Sequence, residues 1–175
     1  MFPPALCHKA EHLLQICREK KTHIVTAESC TGGMIGGMLT EIAGSSDVVE
    51  AGYIVYSNHA KMTLLHVLEK TLITHGAISA ETAFEMATGA LTHHAKEYLE
   101  QERYLSIAVT GVAGPGGGSA DKPVGTVWFG CGALSAAADM PTVTTQKHVF
   151  PGDRCAIRLA TIEHALDMLL DAANS

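Results

Sequence analysis

The 175-residue chain is predicted to be an α/β protein, a three-layer α/β/α fold with a mixed parallel and antiparallel sheet covered by helices. Three observations predict this. Runs with apolar residues at helical spacing interleave with short β-branched runs. Apolar residues make up 47% of the chain, enough for a core. Three unusual polar or glycine-rich segments each follow a predicted strand, and ligands of α/β folds bind at the carboxyl ends of strands.

Leu6, Ala10, Leu13, Leu14 and Cys17 recur at helical spacing, so a helix is predicted over residues 5–20. Thr22–Ala27 reads as the first strand. It runs into Glu28-Ser-Cys-Thr-Gly-Gly33, followed by a helix over Met34–Ile42. Gly36 and Gly37 disfavour that helix by about 1 kcal/mol each relative to alanine, and close packing on the sheet would account for them. Gly44-Ser-Ser-Asp47 breaks the pattern, Ala51–Tyr56 is the second strand, and Asn58–Val67 a short helix. Ser79 is placed to cap a long helix whose Ala83, Met86, Ala87, Ala90 and Leu91 form a face of small and apolar residues. Tyr104–Thr110 is the third strand and ends in the glycine-rich run Gly111–Ser119. Val124–Cys131 and Thr142–Phe150 read as two antiparallel strands, and Asp153 caps a final helix. No repeat or linker divides the chain, so residues 1–175 are read as one domain.

Charge and cysteine content exclude several functions. Twelve basic against eighteen acidic residues give a net charge of −6, and no basic field marks a nucleic-acid binder. Five widely spaced cysteines with no CxxC pair argue against a disulfide framework or zinc ribbon and favour a reducing cytoplasm. The first residues lack a signal-peptide pattern, and no apolar run reaches the ~20 residues of a membrane span. His8 and His12 have zincin spacing without the glutamate, and His93 and His94 are adjacent; all four read as solvated helix histidines. The glycine-rich run lacks the Lys-Ser/Thr ending of a Walker loop, and no GxGxxG follows the first strand.

Two groups could carry chemistry. Ser29 lies on a strand-to-helix turn whose following amides lack helical partners, a setting for a nucleophile beside an oxyanion site. The same serine or Thr31 would serve equally as a helix cap. Lys61 follows the second strand at the predicted mouth; acting as base requires a neutral amine, and lowering its pKa from ~10.4 to ~8 takes ~3 kcal/mol. The alternative is a surface lysine. Tyr56 could relay a proton or hold Lys61. Cys30 is a rival nucleophile or a small buried thiol. The glycine-rich run could form a nest of amides around a phosphate or simply a surface hairpin.

Thr26-Ala-Glu-Ser-Cys-Thr-Gly-Gly33, Gly44-Ser-Ser46, Tyr56-Ser-Asn-His-Ala-Lys61, Gly76-Ala-Ile-Ser79, Thr110–Gly118, Lys122-Pro-Val-Gly-Thr-Val127 and Gly152-Asp-Arg154, in this order, resemble the signature of the CinA C-terminal-domain family. The resemblance extends from about residue 5 to the end. It departs at Ala43 and Ala51, where the family usually has proline and glycine. The resemblance implies an α/β/α fold and, in active members, hydrolysis of nicotinamide mononucleotide to nicotinate mononucleotide and ammonia. It matches Ser29, Tyr56 and Lys61 to the family's serine, tyrosine and lysine. With it come expected substrate-binding positions at Cys30, Thr31, Gly32, Gly33, Thr110, Gly111, Gly114, Gly116, Gly117 and Arg154, the last toward the phosphate. Amides near Thr31 and Gly32 at the start of the second helix are expected to hold the oxyanion. The chemistry requires no metal and no organic cofactor. The expected partner is a small nucleotide, with neither nucleic acid nor membrane involved, in a homo-oligomer. The competing reading is a non-catalytic nucleotide-binding or competence-related adaptor.

Overall fold

The computed structural model describes residues 2–98, 103–135 and 138–175. Helix α1 (Pro4–Glu19) leads into β1 (Thr22–Glu28), α2 (Met34–Thr40), a single 3-10 turn (Ser45–Asp47) and β2 (Val49–Ile54). Then come α3 (Asn58–Leu65), α4 (Glu69–Thr74), α5 (Ala80–Tyr98), β3 (Arg103–Gly111), β4 (Thr126–Ser135), β5 (Thr142–Val149) and α6 (Arg154–Asn174). The five strands lie in the order β2-β1-β3-β4-β5. β1 pairs in parallel with β2 and β3, while β4 runs antiparallel to β3 and β5 to β4. The mixed three-layer architecture is the one predicted.

The parallel half matters for function, because it brings the carboxyl ends of β1, β2 and β3 to one edge. Registers of Ala27 with Tyr53 and with Ala108 set these ends level. Side chains alternate across a strand, so β1 sends Ile24 into one layer and Val25 and Ala27 into the other. The first layer holds α1, α2 and α6 through Leu6, Leu13, Leu14, Ile35, Ile157 and Leu166. Each fully buried leucine or isoleucine there contributes roughly 1.5–3 kcal/mol. The opposite layer of α3, α4 and α5 relies on smaller groups, including Ala27, Ala87, Ala90 and Ala108, and hence on close approach.

Both predicted caps form: the Thr82 N–H donates to Ser79 Oγ at 3.1 Å, and the Ala156 N–H donates to Asp153 Oδ1 at 2.9 Å. Other expectations need correction. Helix α4 was not legible, because Glu69–Thr74 is too short to show a period. The second strand ends at Ile54 rather than Tyr56, since the Val55 and Tyr56 carbonyls turn toward the Lys61 amine. Gly36 and Gly37 are not explained by tight packing. A Cβ at Gly36 would meet its nearest neighbour at 3.5 Å, and one at Gly37 at 3.9 Å, both ordinary contacts.

Close approach does decide two other glycines. A Cβ on Gly130 would lie 2.3 Å from the Ala83 carbonyl oxygen, and one on Gly89 only 2.0 Å from that of Leu65. Gly89 therefore lets α3, the helix carrying Lys61, rest on α5. Gly89→Ala should destabilise the fold by about 1–3 kcal/mol through overpacking, read as a lower denaturant midpoint with an unchanged slope.

Candidate active site

Ser29 and Lys61 meet although 32 positions separate them: Lys61 Nζ lies 3.1 Å from Ser29 Oγ. Alternation along β1 produces the meeting. Glu28 points into the α2 layer, so Ser29 faces the layer of α3. The Ser29 N–H donates to the Val109 carbonyl at 3.0 Å, holding the serine at the end of the sheet. On the other side, Ser57 Oγ caps α3 by accepting from the Ala60 N–H at 3.0 Å, and Lys61 extends inward one turn later.

Lys61 is 1% exposed. Its amine contacts the Val55 carbonyl at 2.8 Å and the Tyr56 carbonyl at 3.4 Å besides Ser29. The amine donates to both carbonyls and to Ser29 Oγ; once neutral it keeps two N–H groups for the carbonyls and presents its lone pair to the serine hydroxyl. Burial without a carboxylate partner among the described residues lowers the Lys61 pKa from 10.5 to about 8, with a small opposing effect of Cys30. The surface-lysine alternative is excluded by this burial.

Glu28, adjacent to the serine, anchors the turn. Its carboxylate accepts from the N–H groups of Gly33 at 3.0 Å, Ile35 at 3.0 Å and Gly36 at 2.8 Å. The Gly33, Ile35 and Gly36 amides at the start of α2 are thus occupied and not free to receive an oxyanion. The Gly32 N–H is also taken, donating to the Ser29 carbonyl at 3.1 Å. That bond closes a turn with Cys30 and Thr31 at its centre. Among the described residues the N–H groups of Cys30 and Thr31 have no acceptor. Of the two, Cys30 lines the cleft beside the Ser29–Lys61 pair, whereas Thr31 is fully buried.

A cleft of about 220 Å³ opens beside the pair, lined by Ser29, Cys30, Tyr56, Asn58, Lys61, Ala77, Ile78, Thr110, Gly111, Ala113 and Arg154. Thr110 Oγ1 donates to the Ala77 carbonyl at 2.6 Å, tying β3 to the loop before α5. Arg154 faces the cleft as expected, and its Nη1 donates to the Gly114 carbonyl at 2.8 Å. Thr31, Gly32, Gly33, Gly114, Gly116 and Gly117 lie outside the lining. The glycine-rich run packs on its own hairpin: a Cβ on Gly114 would lie 2.7 Å from Val124 Cγ1, and one on Gly111 2.6 Å from the Thr126 carbonyl oxygen.

Tyr56 is not placed as a proton relay. Its side chain is 65% exposed, and it reaches Lys61 through its backbone carbonyl. The Cys30 thiol is buried, and desolvation raises its pKa to about 11, unlike a reactive thiolate. His93 is exposed on its helix, as expected, and packs edge-on against Tyr53 at 5.8 Å between ring centres, and the His94 side chain lies outside the described residues. Glu28, Asn58, Ala77, Ile78 and Arg158 were not singled out from the sequence. Glu28 carried a signal as a carboxylate just ahead of a helix start, and Asn58, Ala77 and Ile78 lay within motifs of the resemblance; Arg158 carried none.

The CinA C-terminal domain profile matches residues 7–173. The chain belongs to the CinA C-terminal domain family. It is 39% identical over 169 residues to the nicotinamide-nucleotide amidohydrolase PncC of Escherichia coli K12, covering 97% of this chain and 95% of that protein. A competence-damage inducible protein of Caldicellulosiruptor bescii is 43% identical over 159 residues, and there the match spans 91% of this chain but 36% of the longer relative. The crystal structure of the competence/damage inducible protein CihA from Agrobacterium tumefaciens superposes with a TM-score of 0.86 at 41% identity, covering 100% of this chain and 99% of that one. Among the described residues no helix is long and apolar enough to cross a membrane.

Lys61 also links stability to pH in this CinA-type domain. With its pKa lowered in the fold, the unfolded chain binds the extra proton between pH 8 and 10.5. The penalty of burying the ammonium, on the order of 3 kcal/mol, is complete below pH 8 and disappears as pH rises to 10.5. Unfolding free energies of wild type and Lys61→Met, measured across this window, should show wild type gaining on the variant as pH increases.

Proposed function

We propose that this chain is a nicotinamide-nucleotide amidohydrolase, converting nicotinamide mononucleotide and water into nicotinate mononucleotide and ammonia, with Ser29 as nucleophile and Lys61 as base. One observation carries the assignment of roles: the 3.1 Å contact between the serine oxygen and a desolvated amine. A serine hydroxyl is barely ionised at neutral pH and needs such a base. The 39% identity to the Escherichia coli nicotinamide-nucleotide amidohydrolase supports the substrate class.

Ser29 Oγ attacks the carboxamide carbon as its proton passes to the Lys61 lone pair. The carbonyl electron pair moves to oxygen, and the N–H group of Cys30 receives the resulting oxyanion. Loss of one such donor typically costs ~2.7–4 kcal/mol. Collapse breaks the C–N bond, and the Lys61 ammonium gives its proton to the departing nitrogen, releasing ammonia. Water, deprotonated by the again neutral Lys61, then attacks the ester, and the serine recovers its proton. The pyridinium charge of the substrate makes the amide carbon more electrophilic and opposes protonation of Lys61.

The cleft, about 220 Å³, is smaller than the ~300–1,000 Å³ of pockets that enclose drug-sized ligands. We therefore infer that it takes the ring and carboxamide, leaving the ribose phosphate at the mouth beside Arg154. The described residues offer no other exposed cation in the lining. A soluble nucleotide as substrate fits a cytoplasmic location.

Ammonia release from nicotinamide mononucleotide by the purified protein tests the assignment. Ser29→Ala should abolish turnover and Cys30→Ala only reduce it; the reverse pattern would reject Ser29 as nucleophile. Because the base must be neutral, kcat/KM should rise with pH and level off above an apparent pKa of about 8. Arg154→Ala should raise KM for the mononucleotide well above its effect on the nucleoside, which lacks the phosphate; equal effects would remove the phosphate contact.

A further inference from the structure

Helix α6 carries a second arginine four residues after Arg154, on the same face. Arg158 Nη2 donates to the Thr31 carbonyl at 2.6 Å. The two arginines thus hold the two loops that border the cleft, Arg154 at Gly114 and Arg158 at Thr31. Arg158 has features a packing role does not require. Its Nε is buried without a hydrogen-bond partner, and among the described residues no carboxylate neutralises the guanidinium. A half-buried charge with one orphaned donor is costly, and an apolar side chain would fill the space at lower cost.

The bond falls at a sensitive place. The turn from Ser29 to Gly32 is closed by the Gly32 N–H on the Ser29 carbonyl, and Gly32 adopts φ +63°. Arg158 binds the carbonyl of the same Thr31–Gly32 peptide whose N–H closes the turn, so that peptide is held at both ends. The Glu28 carboxylate secures the chain again from Gly33 onward. Between these anchors lie the free N–H groups of Cys30 and Thr31.

We propose that Arg158 is a positioning residue for acyl transfer: by holding the Thr31 carbonyl it fixes the Ser29–Gly32 turn so that the Cys30 amide is aimed at the oxyanion. This rests on the amidohydrolase reading, but its geometric part does not. Arg158 touches neither Ser29 nor Lys61, so the proton-transfer pair is left intact when it is changed.

The test uses the full chain with Arg158→Met and Arg158→Lys. The methionine variant should lower kcat for ammonia release about 10- to 100-fold, the scale for misplaced catalytic groups, with KM within about twofold. The pH profile should keep its apparent pKa near 8, because Lys61 is untouched. Lysine, which can still donate to the Thr31 carbonyl, should restore much of the rate. In the substrate-free protein, the backbone amide resonances of Cys30 and Thr31 should shift in Arg158→Met and move back toward wild type in Arg158→Lys. Unchanged amide resonances, an unchanged kcat, or a loss confined to KM would each overturn the proposal. Should Arg158→Met not fold, Arg158→Lys against wild type still decides, through a smaller kcat loss and amide shifts of the same two residues. A wild-type protein that forms no ammonia would refute the amidohydrolase reading and with it the catalytic consequence, while the resonances would still judge the clamp itself.

Discussion

An amine removed from water with no carboxylate to meet it is the constraint on which the site depends. Lys61 is enclosed beside two carbonyls and one hydroxyl, and desolvation therefore favours its neutral form. A carboxylate in the same place would hold the lysine protonated and end its use as a base. The nearest carboxylate in sequence to the serine, Glu28, is kept away by strand alternation and spends its oxygens on three amides across the sheet. One residue step in β1 thus separates an anion that anchors the scaffold from a hydroxyl that faces the base.

The fold is organised around maintaining that separation. The layer containing α1, α2 and α6 is packed with large aliphatic side chains and fixes β1, β3 and the turn after β1. The layer containing α3 and α5 is built on alanines and glycine, so α3 can approach closely enough for Lys61 to reach the end of β1. Helix α6 adds polar tethers to both loops at the cleft. The energetic pattern is a robust apolar half and a close-fitting half, with the reactive pair between them.

The occupied start of α2 changes the account of how negative charge is received. A free helix end and a turn with outward amides are both anion sites, but they offer different donors and different geometry. Here the helix end already holds an internal carboxylate, so the remaining donors belong to the residues just after the serine. Likewise, Gly111, Gly114 and Gly118 of the glycine-rich run are required by the hairpin's own packing against Val124 and Thr126, whereas a Cβ on Gly116 would meet nothing.

Much of this was readable without coordinates. Helical and strand periods located the ten helices and strands other than α4, within a few residues at their ends, because apolar spacing and capping residues such as Ser79 and Asp153 are local signals. The order of motifs pointed to Ser29 and Lys61 as residues of interest. Which amides are free, that Tyr56 offers a carbonyl rather than its hydroxyl, and that Arg158 reaches Thr31 across 127 positions were matters for the tertiary structure. The same holds for the protonation preference of Lys61. Residue type sets a side chain's intrinsic chemistry, but hydrogen-bond occupancy and loss of water depend on which distant segments close over it.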